Sequence, residues 1–302
     1  MRLLSLLKVI LGVLALSATT LMAQDDDDLL KLLGEEEEPQ IEYVKASFKT
    51  NRVINAHSLE NTAGGVLDVK ISHRFGYLNS GWENFFGIDN ATVRLGADYG
   101  ITDWLGVGFG RNSFEKLYDG YIKAKILRQS TGKRKMPVTL AYVAAMAVKT
   151  TEWSNPEREN YFTSRLFYTH QLIIGRRFSE AFSLQLMPTL VHRNLVATLA
   201  EKNDVFVMGI AGRQKITKRI AFNAEYFYIF PNQVAADVRN SLSLGLDIET
   251  GGHVFQLHFT NSNAMNEKGF ITETAGKWLD GDVHFGFNIS RVFTLAQKKT
   301  KR

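Results

Sequence analysis

Residues 240–261 read NSLSLGLDIETGGHVFQLHFTN. Leu242, Leu244, Leu246 and Ile248 share one face of an extended chain, and Ser241, Ser243, Gly245, Asp247 and Glu249 share the other. Side chains alternate faces along a strand, so this period of two marks a sheet with one apolar face. Thr250-Gly251-Gly252 supplies a tight turn, because glycine reaches positive φ without a steric penalty. Phe255, Leu257 and Phe259 then resume the apolar face, with Gln256 and His258 opposite. The stretch is an amphipathic hairpin, and most of the chain repeats it.

Working outward, residues 66–75 set Leu67, Val69, Ile71 and Phe75 against Asp68, Lys70, Ser72 and Arg74. Residues 92–101 and 105–111 alternate as cleanly, the second with a row of Gly106, Gly108 and Gly110 on its non-apolar face. Further alternating runs fall at 120–127, 138–149, 165–177, 184–190, 205–215, 220–230 and 282–293. A run of about ten alternating residues has the length of a tilted strand crossing a bilayer. The connections also keep a rhythm. Short turns lie near Asp103, Ser130, Glu180, Lys218 and Gly251, and long loops near Trp82, Glu115, Pro156, Glu201, Val234 and Met265. Membrane barrels have short periplasmic turns and longer outer loops, whereas a soluble sandwich explains alternation without the rhythm. Trp104, Tyr118, Trp153, Tyr161 and Trp278 stand near strand ends, where an interfacial girdle places aromatic rings. The expected fold is all-β, a transmembrane antiparallel up-and-down barrel over residues 66–295. If both barrel ends face the periplasm, twelve strands result, or fourteen if residues 44–59 add a hairpin.

The N-terminus reads as an export signal over residues 1–23. Arg2 and Lys8 flank a short apolar run, and Ala23 precedes a plausible cleavage point. Residues 24–40 form an acidic low-complexity leader, DDDDLLKLLGEEEE at its core, expected to be a solvated linker with at most one helical turn at 29–33. In residues 41–65, Val44, Ala46 and Phe48 alternate with Lys45, Ser47 and Lys49 and predict a short strand, but the pattern fails after Asn51. This segment is expected to be a plug or a periplasmic strand. Residues 296–302 are a basic tail.

Composition narrows the chemistry. The chain of 302 residues has no cysteine, which excludes thiolate catalysis, cysteine metal sites and disulfides. Its 36 basic and 31 acidic residues leave a modest excess spread over many strands, with no basic cluster interleaved with aromatics, so nucleic acid is not an expected partner. No cofactor and no metal are indicated. The expected surroundings are outer-membrane lipid and small polar solutes, in the outer membrane of a Gram-negative-type bacterium.

LDVKISHRFGYLNSG (67–81), LQLMPTLVHRNL (184–195), residues 240–262 and GDVHFGFNISRVF (281–293) together resemble a family of bacterial outer-membrane β-barrels defined only as a domain of unknown function. The likeness spans about residues 43–295. It implies a barrel and brings no activity or site residues with it.

Two enzyme types known on such barrels give specific tests. A phospholipase needs His and Ser two apart on one strand face, and none of the seven histidines satisfies this. An omptin-like protease needs an Asp–His pair facing an Asp pair. Asp282 and His284 supply the first half, and no facing Asp-x-Asp lies in the barrel to supply the second. Gly106-x-Gly108-x-Gly110 lies in a strand with no helix after it, so it is no phosphate cradle. With Gly96 and Gly100 on the next strand it makes a bare patch against which another backbone can pack, and residues 44–59 are the expected occupant.

The expected lumen face mixes charges. Asp68, Lys70, Arg74, Arg94 and Asp98 come from the first strands, Lys123, Lys125, Lys149 and Arg165 from the middle, and Arg213, Glu225, Asp247, Glu249, His258 and His284 from the last. Such charges must pair or be wetted. The first functional expectation is a channel for small polar solutes. The alternative is a closed-lumen structural or partner-docking barrel, and a barrel-borne hydrolase is a distant third.

Overall fold

A computed structural model describes residues 40–251 and 253–296. The signal and most of the acidic leader, with its helical turn, lie outside the described residues. The chain divides into two units, Met1–Gln40 and Ile41–Arg302, and the barrel belongs to the second. Two short strands, β1 (Ile41–Tyr43) and β6 (Ser130–Gly132), pair with each other outside the barrel. Among the described residues, twelve strands close into one barrel: β2 (Val66–Tyr77), β3 (Ala91–Gly100), β4 (Leu105–Asn112), β5 (Leu117–Leu127), β7 (Thr139–Lys149), β8 (Leu166–Arg177), β9 (Phe182–Arg193), β10 (Asp204–Lys215), β11 (Ile220–Ile229), β12 (Ser241–Thr250), β13 (His253–Thr260) and β14 (His284–Thr294).

Every barrel strand pairs antiparallel with its neighbours in the chain, and β14 closes onto β2 from Thr294↔Val66 to His284↔Tyr77. The count is therefore twelve, not fourteen. Closure leaves no ladder edge, as a spanning sheet in hydrocarbon requires. The seam carries a zip of outward rings: Phe75 stacks on Phe285 with centroids 5.8 Å apart, Phe259 meets Phe285 at 5.5 Å, and His73 stacks on Phe287 at 5.0 Å.

Alternation sorts the wall into two faces. In β12, Ser241, Ser243, Gly245 and Asp247 are buried inside, while Leu242, Leu244, Leu246 and Ile248 point out. Leu95, Phe109, Ile122, Phe206 and Leu257 are among the large apolar side chains exposed around the outside. In water they would form an apolar patch far beyond what a soluble monomer tolerates; in a bilayer they are the lipid-facing belt.

Two local expectations need correction. Residues 44–49 are not a strand, and Ala46 sits at φ +37°. Every barrel edge is already paired, so this segment has no ladder to join. The amides of Ser47 and Phe48 turn instead to the Glu60 carboxylate. The final strand starts at His284, leaving Asp282 in the loop before it.

The interior is two-sided. Strands β7–β11 turn apolar side chains inward, among them Val143, Ile173, Met187, Val207 and Phe227. Strands β2, β3 and β5 turn charged ones inward, and β12–β14 polar ones.

Leu244 offers a direct check of the faces. Leu244→Arg is expected to destabilise the folded barrel by about 2–4 kcal/mol if the position lies near the bilayer midplane. Folding equilibria into lipid vesicles measure the difference, with Ser243→Ala as the inward control.

Candidate functional site

The lumen is filled by the protein's own chain, from both ends. At its centre, residues 51–58 form a tight hairpin. Ser58 N–H donates to Asn51 O at 3.0 Å, Arg52 and His57 bridge, and Val53 N–H donates to Ala56 O at 2.8 Å. The turn aims three successive amides at one carboxylate. Ile54 and Ala56 N–H donate to Glu225 Oε2 at 3.1 and 3.0 Å, and Asn55 N–H to Oε1 at 2.9 Å. Glu225, on β11, is 2% exposed. A carboxylate taken out of water is costly unless its hydration is replaced, and these amides replace it.

Bonds from the same segment reach around the barrel. Asn51 Nδ2 donates to Asp98 on β3 at 2.7 Å and its Oδ1 accepts from Lys70 on β2. Asn55 accepts from Arg74 on β2 and donates to Ser243 on β12 at 3.0 Å. Gln256 on β13 and Asn288 on β14 donate to Val53 O and Ile54 O at 2.7 and 3.2 Å, and Gln185 on β9 donates to His57 O at 2.7 Å. Lys123 on β5 donates to Glu60 O. A segment bonded to staves on all sides of a closed ring lies within it. Its apolar side chains face the apolar half of the wall. Phe48, Val53, Ala56 and Leu59 join the cluster of Val143, Ile173, Met187 and Phe227. A fully buried Phe or Leu contributes about 1.5–3 kcal/mol, against a net 0.5–1.5 for an ordinary hydrogen bond. Apolar contact and the bonds to charged groups, about 1.5–3 kcal/mol each, together hold the segment, and the directional polar bonds set its register.

The outer loop between β13 and β14 closes the other end. It carries a buried one-and-a-half-turn helix, α1 (Glu267–Thr272), whose Asn266 side chain caps Gly269 N–H at 2.9 Å. Phe270 meets Phe227 edge-on at 5.1 Å. Lys268 pairs with Glu115 at 2.7 Å and also with Glu273, tying the helix to the β4–β5 loop. The two fillings touch through Arg52, which pairs with Glu267, while His57 Nε2 lies 3.1 Å from the same carboxylate. Burial and the charge of Arg52 push the His57 imidazole down from 6.5 to about 3. Burial opposes ionisation of Glu267, but the Arg52 charge, the His57 contact and a backbone bond together outweigh it and hold the carboxyl below its ordinary range.

Of the residues the sequence suggested for the lumen, Asp68, Lys70, Arg74, Arg94, Asp98, Lys123, Glu225, Asp247, His258 and His284 are all buried in the interior. Arg94 pairs with Asp119. Lys125 lies 3.7 Å from Glu60, and Arg213 3.9 Å from Glu249, which also pairs with Lys49 at 2.8 Å near the inner mouth. Lys149 pairs with Glu115, and Arg165 donates to the Lys149 and Thr151 carbonyls at the outer end. The glycine patch is filled piecemeal. The Arg94 guanidinium lies across Gly96 and Gly110, Tyr121 and Asp98 occupy the space over Gly108, and the Thr62–Ala63 backbone packs on Gly100. Gly106 faces little beyond the Tyr99 carbonyl. The hairpin therefore reaches the patch through Asp98 and Tyr121, and bare backbone meets bare backbone at Gly100.

Asp282 and His284 are engaged separately. Asp282 accepts from Asn79 at 2.7 Å and from the Lys277 amide at 3.1 Å, and His284 Nδ1 is 2.7 Å from the Phe75 carbonyl. Among the described residues no group of His, Asp and Glu is placed to hold a metal ion. Sequence reading put Gln256 on the inward face but did not single out Tyr121, Gln185, Asn288 or Glu267. One signal was readable: residues 140–147 are apolar on both faces, which a wall strand needs only where something apolar packs inside.

Residues 48–293 match the membrane-bound β-barrel domain family, a domain of unknown function (DUF5777). The chain belongs to this family. It is a membrane-bound β-barrel. Among solved structures, this family member is similar to a NanC porin, with a TM-score of 0.48 and 9% identity over 76% of this chain and 100% of that one. An outer-membrane channel from Pseudomonas putida F1 gives 0.46 and 13% over 78% and 98%. Outer-membrane phospholipase A from Escherichia coli gives 0.40 and 13% over 75% and 88%. A comparison with curated protein sequences finds no match. No helix among the described residues is long and apolar enough to cross a membrane, which says nothing of crossing by strands.

The docked segment should be acid-sensitive. Docking excludes a proton from His57 and holds Glu267 ionised, so both groups favour release as pH falls. For His57 the loss begins below 6.5 and continues to about 3; it is at most about 1.4 kcal/mol per pH unit. Glu267 adds to it below the ordinary carboxylate range. A fluorophore on Lys45→Cys, unique in a chain without cysteine, should report release at pH 4–5 in wild type and a smaller change in His57→Gln.

Proposed function

We propose that this barrel is a gated passage for small polar solutes, closed at rest by residues 44–63 and by the inward-folded α1 loop. The carriage of three turn amides by Glu225 supports this reading most directly. It is a bond that forms only when the segment is docked and that water can replace on either side when it leaves. Withdrawal would uncover Asp68, Lys70, Asp98, Lys123 and Gln256 along one half of the wall, a surface that water wets readily. The segment enters from the rim of short turns, because β1 pairs with β6 in the β5–β7 connection, so its withdrawal would be towards the periplasm.

A second reading, a permanently closed barrel that docks a partner, is favoured by one observation. The segment also buries Phe48, Val53 and Leu59 against an apolar wall, contacts that an opening step must break. Planar-bilayer recording separates the two. Wild-type protein is expected to give rare openings at neutral pH, and Glu225→Ala frequent ones. A double deletion, of residues 44–63 and of residues 264–275 that carry α1, removes both closures and should conduct continuously. Silence from the deletion variant, shown to be folded by heat-shifted gel mobility, would reject the passage and leave the closed barrel.

A further inference from the structure

The barrel wall holds a second feature, outside the lumen and independent of whether it conducts. Where β5 reaches the rim of short turns, the lipid-facing wall ends in a cavity of about 490 Å³. Its lower side is apolar: Ile126 is exposed on the outer face of β5, and the Trp104 ring stands beside it, also exposed. Its upper side is basic, lined by Lys125, Arg128 and Arg134, and no carboxylate lines it. Lys125 is drawn toward Glu60, whereas among the described residues neither Arg128 nor Arg134 has a carboxylate within ion-pair reach.

The parts are held, not loose. The Arg128 guanidinium sits 4.4 Å from the centre of the Tyr43 ring, and Tyr43 is itself pinned by the pairing of β1 with β6. Arg134 is carried on a small hairpin closed by two Ser130–Met136 backbone bonds of 3.0 Å, with Ser130 Oγ donating to Arg134 O at 2.7 Å. Trp104 is fixed at the site by Lys125 N–H donating to its carbonyl at 2.7 Å. The sequence alone showed no basic cluster interleaved with aromatics, because Tyr43 and Trp104 come from distant parts of the chain.

We propose that this cavity binds the phosphate headgroup of an anionic phospholipid in the periplasmic leaflet. Guanidinium groups match phosphate oxygens with paired donors. The order of the walls matches a lipid: charge at the rim, aromatic rings at the interface, and aliphatic surface on the bilayer side. A free anion would use the arginines but not the apolar wall. A lipid held here would also brace Tyr43, the anchor from which residues 44–63 enter the lumen.

The test is native mass spectrometry of the folded full chain in detergent. It is titrated with dioleoyl phosphatidylglycerol or dioleoyl phosphatidylethanolamine. One phosphatidylglycerol should be retained in preference, and R128A/R134A should weaken its retention by roughly thirtyfold, given about 1 kcal/mol for each of the two basic residues near a lipid surface. K218A/R219A, which removes the same charge from another turn of the same rim, should leave retention unchanged. Equal retention of the two lipids by wild type, or equal losses in both variants, would overturn the site. Displacement of the lipid by an equal concentration of inorganic phosphate would overturn the lipid assignment in favour of free phosphate. A readout that needs no arginine variant is quenching of Trp104, isolated by comparison with W104F. Brominated phosphatidylglycerol should quench it more than brominated phosphatidylethanolamine, and equal quenching counts against the proposal.

Discussion

Hydrocarbon cannot bond to a peptide group, and that one constraint organises this protein. Every amide of the spanning sheet must find a partner within it, so the sheet closes, with β14 on β2. Closure then forces a choice about the other face. The alternation that presents Leu242, Leu244 and Leu246 to lipid presents Ser243 and Asp247 to the inside. Twelve staves enclose more space than their own side chains occupy. The inward groups therefore need either water or another piece of chain, and here another piece of chain supplies the bonds.

The filling is matched to the wall on two scales. Coarsely, the apolar side chains of residues 48–59 and of α1 lie against the apolar staves β7–β11, and burial supplies much of the attraction. Finely, each polar stave residue meets a particular backbone or side-chain atom: Glu225 the turn amides, Gln256 and Asn288 the turn carbonyls, Asn51 the gap between Lys70 and Asp98. Burial is tolerant of small shifts, whereas a three-amide carboxylate contact is not, so the second set of contacts fixes where the first may settle. Arg52 and Glu267 join the filling to the outer loop, which makes the two closures one connected unit inside the barrel.

Much of the wall was readable. Period-two alternation identified the strands to within a few residues, and the alternation of short and long connections ordered them into a meander. The reading failed at residues 44–49, where alternation predicted a strand. Alternation reports two different environments on two sides of a chain, and a strand is only one way of having them. Phe48 faces the apolar staves while Lys49 reaches Glu249, with no ladder involved. The bare glycine patch was expected to take residues 44–59, but it is covered by Arg94, Asp98 and Tyr121 and, at Gly100, by the Thr62–Ala63 backbone, contacts that spacing does not encode.

By itself the sequence determined the architecture: an exported-looking chain, a meander of twelve or fourteen amphipathic strands, lipid outside, charge inside. It could do so because membrane solvation acts on each strand separately, and the period of two records that locally. Only the tertiary structure decided what the inside holds. Glu225 and Asn55 are 170 positions apart, as their bond shows, and Tyr43 meets Arg128 across 85 residues by way of β1 and β6. Such meetings are set by closure of the ring and by the path of the connecting chain. No local pattern records either, so the state of the lumen and the basic aromatic cavity at the rim come into view only once the barrel is closed.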